Sequence, residues 1–339
     1  MDDHAPDASL RVTYSTAAPA AVAAFAADRY ALRGPLECGL LNRGFNDTFT
    51  VATVDGERFV LRVSSRNRRD ASDVAAETAF LAYLDAAGVP VAAPVPTRGG
   101  ALFTEFRQPE GPRLAALFRY VGGRPPGLDA PNDALAQGVT LARIHAAAEG
   151  FAGRMAGRRR LDLEHLVRRP LARVSALPAL SAEARAYLTG LAGRLSEAVT
   201  GSAGLSRTRG HGDCHGLNAR IVSHGPGRDR AVLFDFDDGG YGYLAYDLAV
   251  HLWAQVSFQR RRYVPWHAFI DGYRSVRPIT PADFEAIRLF VPIRHLWLLG
   301  EYARRTPEWG CDHLSPAWLD RQADFLRTWE AERLGPLLV

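Results

Sequence analysis

Five consecutive residues, Gly122-Gly123-Arg124-Pro125-Pro126, divide this chain into halves that follow different rules. Two glycines and two prolines in so short a span end a strand and do not start a helix. Ahead of them lie short runs of strand composition. Leu36–Leu41, Thr48–Val54 and Arg58–Val63 come first, and Asp55-Gly56 between the last two is a strong hairpin signal. Ala101–Phe106 and Leu114–Val121 form another strand pair across the turn Pro109-Glu110-Gly111-Pro112. Two helices belong to this half: Ala17–Leu32, Ala-rich and started by Pro19, and Ala71–Ala87, ended by Gly88 and Pro90.

Beyond the break the pattern turns helical over Asn132–Ala148, Ser181–Val199, Tyr246–Phe258, Pro281–Leu299 and Pro316–Arg333. One exception interrupts it: strands near Arg220–Val222 and Ala231–Phe234, joined by the turn Gly225-Pro226-Gly227. Strands segregated from helices, rather than alternating with them, predict an α+β fold.

Composition narrows the class. With 339 residues, 47% hydrophobic and 23% charged, the chain is long enough for two domains or one large two-lobed unit of a globular protein. Every basic residue is Arg, since the chain holds no Lys, and the net charge is +4. The arginines are spread along the chain, and the clusters Arg158-Arg159-Arg160 and Arg260-Arg261-Arg262 read as solvated surface, so no nucleic-acid partner is expected. Cys38, Cys214 and Cys311 form no CxxC pair, which fits a reducing compartment. Residues 1–12 read as a loose leader without a secretory pattern, and no apolar run reaches the ~18 residues of a membrane span. A cytoplasmic location without a membrane partner is the expectation.

The chemistry concentrates in three strings. His211-Gly212-Asp213-Cys214-His215-Gly216-Leu217-Asn218 comes first, followed by Leu233-Phe234-Asp235-Phe236-Asp237-Asp238 and then Tyr246-Asp247-Leu248-Ala249. Phosphoryl transfer needs a group that orients the attacking hydroxyl and accepts its proton, and a magnesium ion that holds the triphosphate in line. Magnesium takes oxygen ligands from one or two carboxylates plus phosphates. An Asp with an Asn five residues on, then strand, turn, strand and a further Asp, supplies that set in the order of a kinase catalytic loop.

The three strings together resemble the phosphotransferase enzyme family of aminoglycoside, choline, homoserine and methylthioribose kinases, within the protein-kinase-like superfamily. The end of the chain, around Ile293-Arg294-His295-Leu296-Trp297 and Trp318–Phe325, is similar to a bacterial stress-response Ser/Thr kinase of the same family. The resemblance spans roughly Leu36 to Trp329. It implies a two-lobed protein-kinase-like fold, with a small N-terminal β-sheet lobe bearing one main helix and a larger, mostly helical C-terminal lobe. The lobes would be residues 1–117 and 122–339, joined by a linker over 118–121. By the same resemblance, Asp213 is the catalytic base, Asn218 and Asp235 are magnesium ligands with Asp237 assisting, and His211 and Asp247 support the catalytic loop.

In the first half the resemblance implies a phosphate-covering loop over Leu41–Thr48, where Gly44 leaves room for phosphates and Asn46 follows. Arg62, in Val60-Leu61-Arg62-Val63, stands where the family has a phosphate-holding lysine. Arg is bulkier and planar, so the two are not equivalent, yet it binds phosphate bidentately. Glu77 matches the ion-pair partner of that cation, and Phe118, Tyr120 and Val121 match the segment that meets the adenine. ATP and Mg2+ are the implied cofactors.

Plainer readings stand beside these. His211-x-Asp213-x-His215 taken alone fits a transition-metal cluster, and Asn218 with the Asp235 string favours the kinase. Asp238 suits a turn. His145 is expected to pack or cap at a helix end, Cys214 to be a small loop residue, and Trp253, Trp266, Trp297 and Trp309 to be core. Three functions follow: transfer of the ATP γ-phosphoryl group to a hydroxyl of a small molecule, a Ser/Thr protein or peptide kinase, or a nucleotide-binding pseudokinase suggested by Arg62. The acceptor is not legible in the sequence.

Overall fold

The computed structural model describes residues 11–66, 69–153, 155–157, 159–223, 225, 229–257 and 262–332. Residues 1–10 of the expected leader lie outside these, as do Arg158, Pro226-Gly227, Phe258, Arg260-Arg261 and Arg333. The chain divides into two compact units. The first runs up to Thr78 and includes Ala93–Tyr120; the second comprises Ala79–Ala92 and the chain from Val121.

The first unit is an antiparallel sheet of β1 (Glu37–Arg43), β2 (Asn46–Ala52), β3 (Arg58–Ser64), β4 (Pro94–Val95), β5 (Thr104–Gln108) and β6 (Gly111–Arg119). Its order is β1-β2-β3-β6-β4, with β5 also pairing β6. Alternation along the strands sends Phe49, Val51, Leu61, Val63 and Leu117 to one buried cluster. Helix α1 (Pro19–Arg29) adds Val22 and Ala26 to that cluster, followed by Tyr30. Each Val, Leu and Phe among them stabilises the unit by about 1.5–3 kcal/mol on burial. The turn at Gly56 has φ +85°, as Asp-Gly requires. β5 starts later than expected because Ala101–Phe103 precede the ladder, which pairs Thr104 with Ala115.

Helix α2 (Ala71–Ala86) begins at Asp70, whose carboxylate accepts the Asp73 amide at 3.0 Å. Its end is a glycine cap: Val89 N–H returns to the Leu84 carbonyl at 2.9 Å, with Gly88 at φ +73°.

The second unit is built on α3 (Pro131–Gly150), α4 (Arg169–Ser175), α5 (Ala182–Gly201), α6 (Leu244–Val256), α7 (Tyr263–Arg274), α8 (Pro281–Arg304), α9 (Thr306–Trp309) and α10 (Pro316–Glu332). Two small sheets complete it. One is the expected hairpin of β9 (Ala219–Val222) and β10 (Arg230–Leu233); the other joins β7 (Arg160–Leu161), β11 (Gly240–Tyr243) and β8 (Arg207–Gly210). That second sheet and α7 have no counterpart in the sequence-based expectation. Its strands are two to four residues long and β8 carries two arginines, so they lack a readable alternation.

Helices α3 and α7 pack with their backbones in close approach. A Cβ on Gly138 would lie 2.0 Å from the Phe269 carbonyl oxygen, and one on Gly272 would lie 2.1 Å from that of Leu135. This contact sets His145 of α3 beside Tyr273 of α7. Helix α8 starts at a cap in which Thr280 accepts the Asp283 amide at 3.1 Å. Among the described residues no helix is long and apolar enough to cross a membrane. An antiparallel sheet at the N-terminal side and a helical C-terminal region make this a protein-kinase-like α+β fold.

Candidate active site

The loop after β8 is held from below by one carboxylate. Asp247, in the first turn of α6, accepts the amides of His211 and Gly212, each at 2.6 Å, one on each oxygen. Its Oδ2 also accepts from His145 Nε2 at 3.0 Å, and His145 Nδ1 meets the Tyr273 hydroxyl at 2.8 Å. All of these groups are buried. Burial pushes the Asp247 carboxyl up, but the hydrogen bonds and neighbouring histidines outweigh it and keep the group below its ordinary value. Of the two expectations for His145, it packs rather than caps: it lies within α3, fully buried, as part of the support of the loop.

The glycines beside that carboxylate are sterically required. A Cβ on Gly210 would sit 2.4 Å from Asp247 Oδ2, and one on Gly212 would sit 2.1 Å from the Asp238 carbonyl. Gly212 also adopts φ +80°, which side chains rarely do.

His211 joins the first two strings. Its Nδ1 accepts the Asp213 amide at 3.2 Å, so Nε2 carries the proton and donates to the Phe234 carbonyl at 3.0 Å. The Phe234 amide in turn donates to the Asn218 carbonyl at 3.1 Å. Phe234 is thus gripped on both sides of its backbone, directly before Asp235. Asp235 has φ 65° and ψ 60°, and among the described residues it alone is a non-glycine with positive φ. Such a conformation costs roughly 1–2 kcal/mol and persists where the surroundings hold it.

The Asp213 carboxylate is held on both oxygens. Its Oδ2 accepts from the Asn218 amide nitrogen at 2.9 Å and lies 3.3 Å from His215 Nε2, while Oδ1 accepts from Arg294 of α8. Burial acts to raise its pKa, but the Arg294 and His215 charges prevail and hold the carboxyl well below the usual range. Asp213 is therefore ionised at neutral pH. Arg294 is the residue that sequence reasoning missed. It is 81 positions away in the chain, so no local spacing links it to Asp213. The available signal was a lone charge inside the apolar run Val291-Pro292-Ile293-Arg294-His295-Leu296-Trp297, since a charge buried there must be paired.

Asn218 uses its amide nitrogen on Asp213, both at the side chain and at the carbonyl (3.0 Å). Its amide oxygen is thereby left as a hard donor of the kind magnesium takes. Asp237 and Asp238 are buried in the turn after Asp235. Arg159 donates to the Asp237 carbonyl at 2.7 Å and to the Asp238 carboxylate at 2.8 Å, so Asp238 anchors the turn. Cys214 is fully buried, and burial pushes its thiol well up, as for an inert loop residue. Among the described residues no cluster of three His, Cys, Asp or Glu forms a self-sufficient metal site, so the transition-metal reading of His211, Asp213 and His215 has no geometric support.

In the first unit Arg62 of β3 is 4% exposed, and its guanidinium donates to Glu77 of α2 at 2.6 Å. Glu77 also pairs with Arg69, a second cation that sequence reasoning missed. The Arg62 guanidinium lies over the Phe118 ring at 5.0 Å. β6 runs on through Arg119, so Phe118 is a buried strand residue. Tyr120 follows, with its amide bonded to the Arg58 carbonyl (3.1 Å) and its ring under the Arg58 guanidinium; Val121 begins the second unit. Gly44 and Asn46 flank the turn between β1 and β2, closed by the Gly44 amide on the Asn46 carbonyl at 3.0 Å.

Comparison with known proteins agrees with this geometry. Residues 40–279 match the model of the phosphotransferase enzyme family. A protein of Deinococcus radiodurans described as uncharacterized is 39% identical, over 96% of this chain and 94% of its own. A homoserine kinase of Allorhizobium ampelinum is 30% identical over 71% of this chain and 72% of its own. The structure of a microcompartment-associated aminopropanol kinase aligns with a TM-score of 0.75 at 24% identity, over 93% of this chain and 98% of that one. The family match takes in both halves of the chain and all three strings around Asp213, and the chain accordingly belongs to the phosphotransferase enzyme family.

Proposed function

We propose that this protein transfers the γ-phosphoryl group of ATP to a hydroxyl of a small molecule, with Asp213 as the residue that orients the hydroxyl and takes its proton. The observation that carries the reading is the fixed, ionised Asp213 carboxylate with the Asn218 amide bonded to it. The acceptor oxygen forms the new bond to phosphorus, the bond to the β-phosphate oxygen breaks, and its electron pair leaves with ADP. Asn218 and Asp235, assisted by Asp237, are the residues to hold magnesium. Bound magnesium supplies charge that offsets the phosphate oxygens during transfer. Arg62, itself oriented by Glu77, holds the α- and β-phosphates in place of a lysine. Gly44 and Asn46 cover the phosphates, and Phe118, Tyr120 and Val121 adjoin the adenine. Catalysis on this account is positioning and electrostatics without a covalent enzyme intermediate.

The Arg62–Glu77 pair favours an active enzyme over a pseudokinase, because an intact pair is what an active kinase keeps. The small-molecule kinases among the matches favour a metabolite over a protein acceptor. The test is magnesium-dependent ATP consumption against a panel of hydroxyl acceptors and a generic protein substrate, with Asp213→Ala as control. Turnover that needs one small acceptor and disappears in the variant supports the reading. Turnover only with the protein substrate, or full activity in the variant, would sink it. Calorimetry adds a second check: Asp235→Ala weakens nucleotide binding in the presence of magnesium and changes it little without.

A further inference from the structure

Three helices of the second unit line an open cavity of about 360 Å3. The α8 face bearing His295, Leu298, Leu299 and Tyr302 repeats at three- and four-residue intervals, as one helical face does. Trp318, Gln322 and Phe325 of α10 form a second wall and Trp253 of α6 a third, with Trp309 at the rim, 37% exposed. Trp253 and Trp309 are thus cavity residues, whereas Trp266 and Trp297 are buried core as expected.

One wall of the cavity, Trp253, meets the arginine that holds Asp213. Arg294, which grips Asp213, lies with its guanidinium 5.2 Å from the centre of the Trp253 ring. Tyr302 senses the same groups: burial raises its pKa foremost, while Arg294 lowers and Asp213 raises it.

The polar groups of the walls are turned to one another. Trp253 Nε1 donates to His295 Nδ1 at 3.2 Å, His295 Nε2 to Gln322 Oε1 at 3.1 Å, and Gln322 Nε2 to the Trp318 carbonyl at 3.3 Å. The Ser257 hydroxyl donates to the Trp253 carbonyl. One buried lining atom, His313 Nε2, has no partner. Among the described residues no carboxylate, arginine or lysine lines the space. His295 is neutral as well, since burial lowers its pKa to about 4.

We infer that this cavity is the acceptor pocket and that it takes an uncharged alcohol with an aromatic or branched apolar body. The inference rests on the phosphotransferase reading for the hydroxyl at Asp213. A volume of 360 Å3 is at the small end of ligand pockets, which suits one ring system. An ammonium acceptor would lose its hydration with no carboxylate among the described lining residues to receive it. The Trp253 face that would attract it already meets the Arg294 cation. An anionic acceptor finds the Arg294 charge engaged by Asp213.

The experiment uses two probes, phenylpropanol and its cationic twin phenylalaninol, read by tryptophan fluorescence on the full chain. Phenylpropanol binds at least about tenfold more tightly, the size expected from one unpaired charge in an apolar site. Trp318→Ala weakens phenylpropanol by about tenfold, as loss of a buried aromatic contact does. Leu298→Glu reverses the preference between the probes, a gain that a misfolded protein cannot give. Equal or tighter binding of phenylalaninol by the wild type overturns the inference, as does an absence of saturable phenylpropanol binding, and neither result needs a variant. The phosphotransferase reading fails separately: ATP turnover with no acceptor, while phenylpropanol binding and its charge preference persist, removes that reading and leaves the pocket's selectivity standing. Turnover with aminoalcohols but not with neutral alcohols does the reverse.

Discussion

The guanidinium of Arg294, from the middle of α8, is bonded to the same Asp213 carboxylate that the Asn218 amide holds from within the loop. One oxygen faces the helix and the other the loop, so the carboxylate cannot rotate without breaking a bond to one of them. The arrangement keeps Asp213 charged although burial opposes it.

Arg294→Met keeps the length of the side chain and removes the charge. The Asp213 carboxyl then loses its main opposing influence, burial dominates, and its pKa rises. The acid limb of kcat/KM against pH moves to higher pH, which a purely structural role for Arg294 would not produce. Breaking a buried pair also costs about 3–5 kcal/mol, to be read as a lowered denaturation midpoint. Asp213→Ala lowers kcat by about 10²–10⁴ with nucleotide affinity largely kept.

Glu77 serves two buried guanidinium groups, Arg62 and Arg69. Glu77→Ala removes the carboxylate they share and destabilises the chain by about 3–5 kcal/mol. The freed Arg62 is no longer oriented, so nucleotide affinity falls. Urea denaturation and ATP titration measure the two effects separately.

Gly212→Ala brings a methyl group to within 2.1 Å of the Asp238 carbonyl at a residue with φ +80°. The loop must shift, and Asp213 shifts with it. A displacement of that size is expected to lower kcat by about a hundredfold, in steady-state assays with the protein still folded by circular dichroism.

His251 and His295 are buried and His165 is half-buried; all three are neutral, with pKa values lowered to about 3 for His165 and His251 and about 4 for His295. Below the ordinary value of 6.5 the unfolded chain takes up protons there that the folded chain refuses. Their stability contribution is complete above that value and lost as pH falls towards the folded values. Each histidine adds a slope approaching about 1.4 kcal/mol per pH unit. Denaturant midpoints measured from neutral pH down to about pH 5 should fall steadily, and His295→Gln should flatten the slope.

What could be read from the residues in order was whatever is encoded locally. The strand pairs around Asp55-Gly56 and Pro109-Glu110, the helix ended by Gly88, and the β9–β10 hairpin lie close to where their patterns put them. The strings His211–Asn218 and Phe234–Asp238 are contiguous, so the residues that face one another across the hairpin were legible together. Asp247 was readable as support for the loop because its string is as distinctive. Long-range partners were not. Arg294 reaches Asp213, Arg69 joins Glu77, and His145 completes Asp247 only through the packing of α8, the path of the chain ahead of α2, and the glycine contact of α3 with α7. The cavity beside Arg294 is assembled from α6, α8 and α10 and has no sequence signature. Local sequence sets torsions and caps over a few residues, whereas burial, charge pairing and cavity shape depend on side chains far apart in the chain. The reaction class was therefore written in three short strings, and the support of Asp213 and the shape of the cavity were decided by tertiary packing.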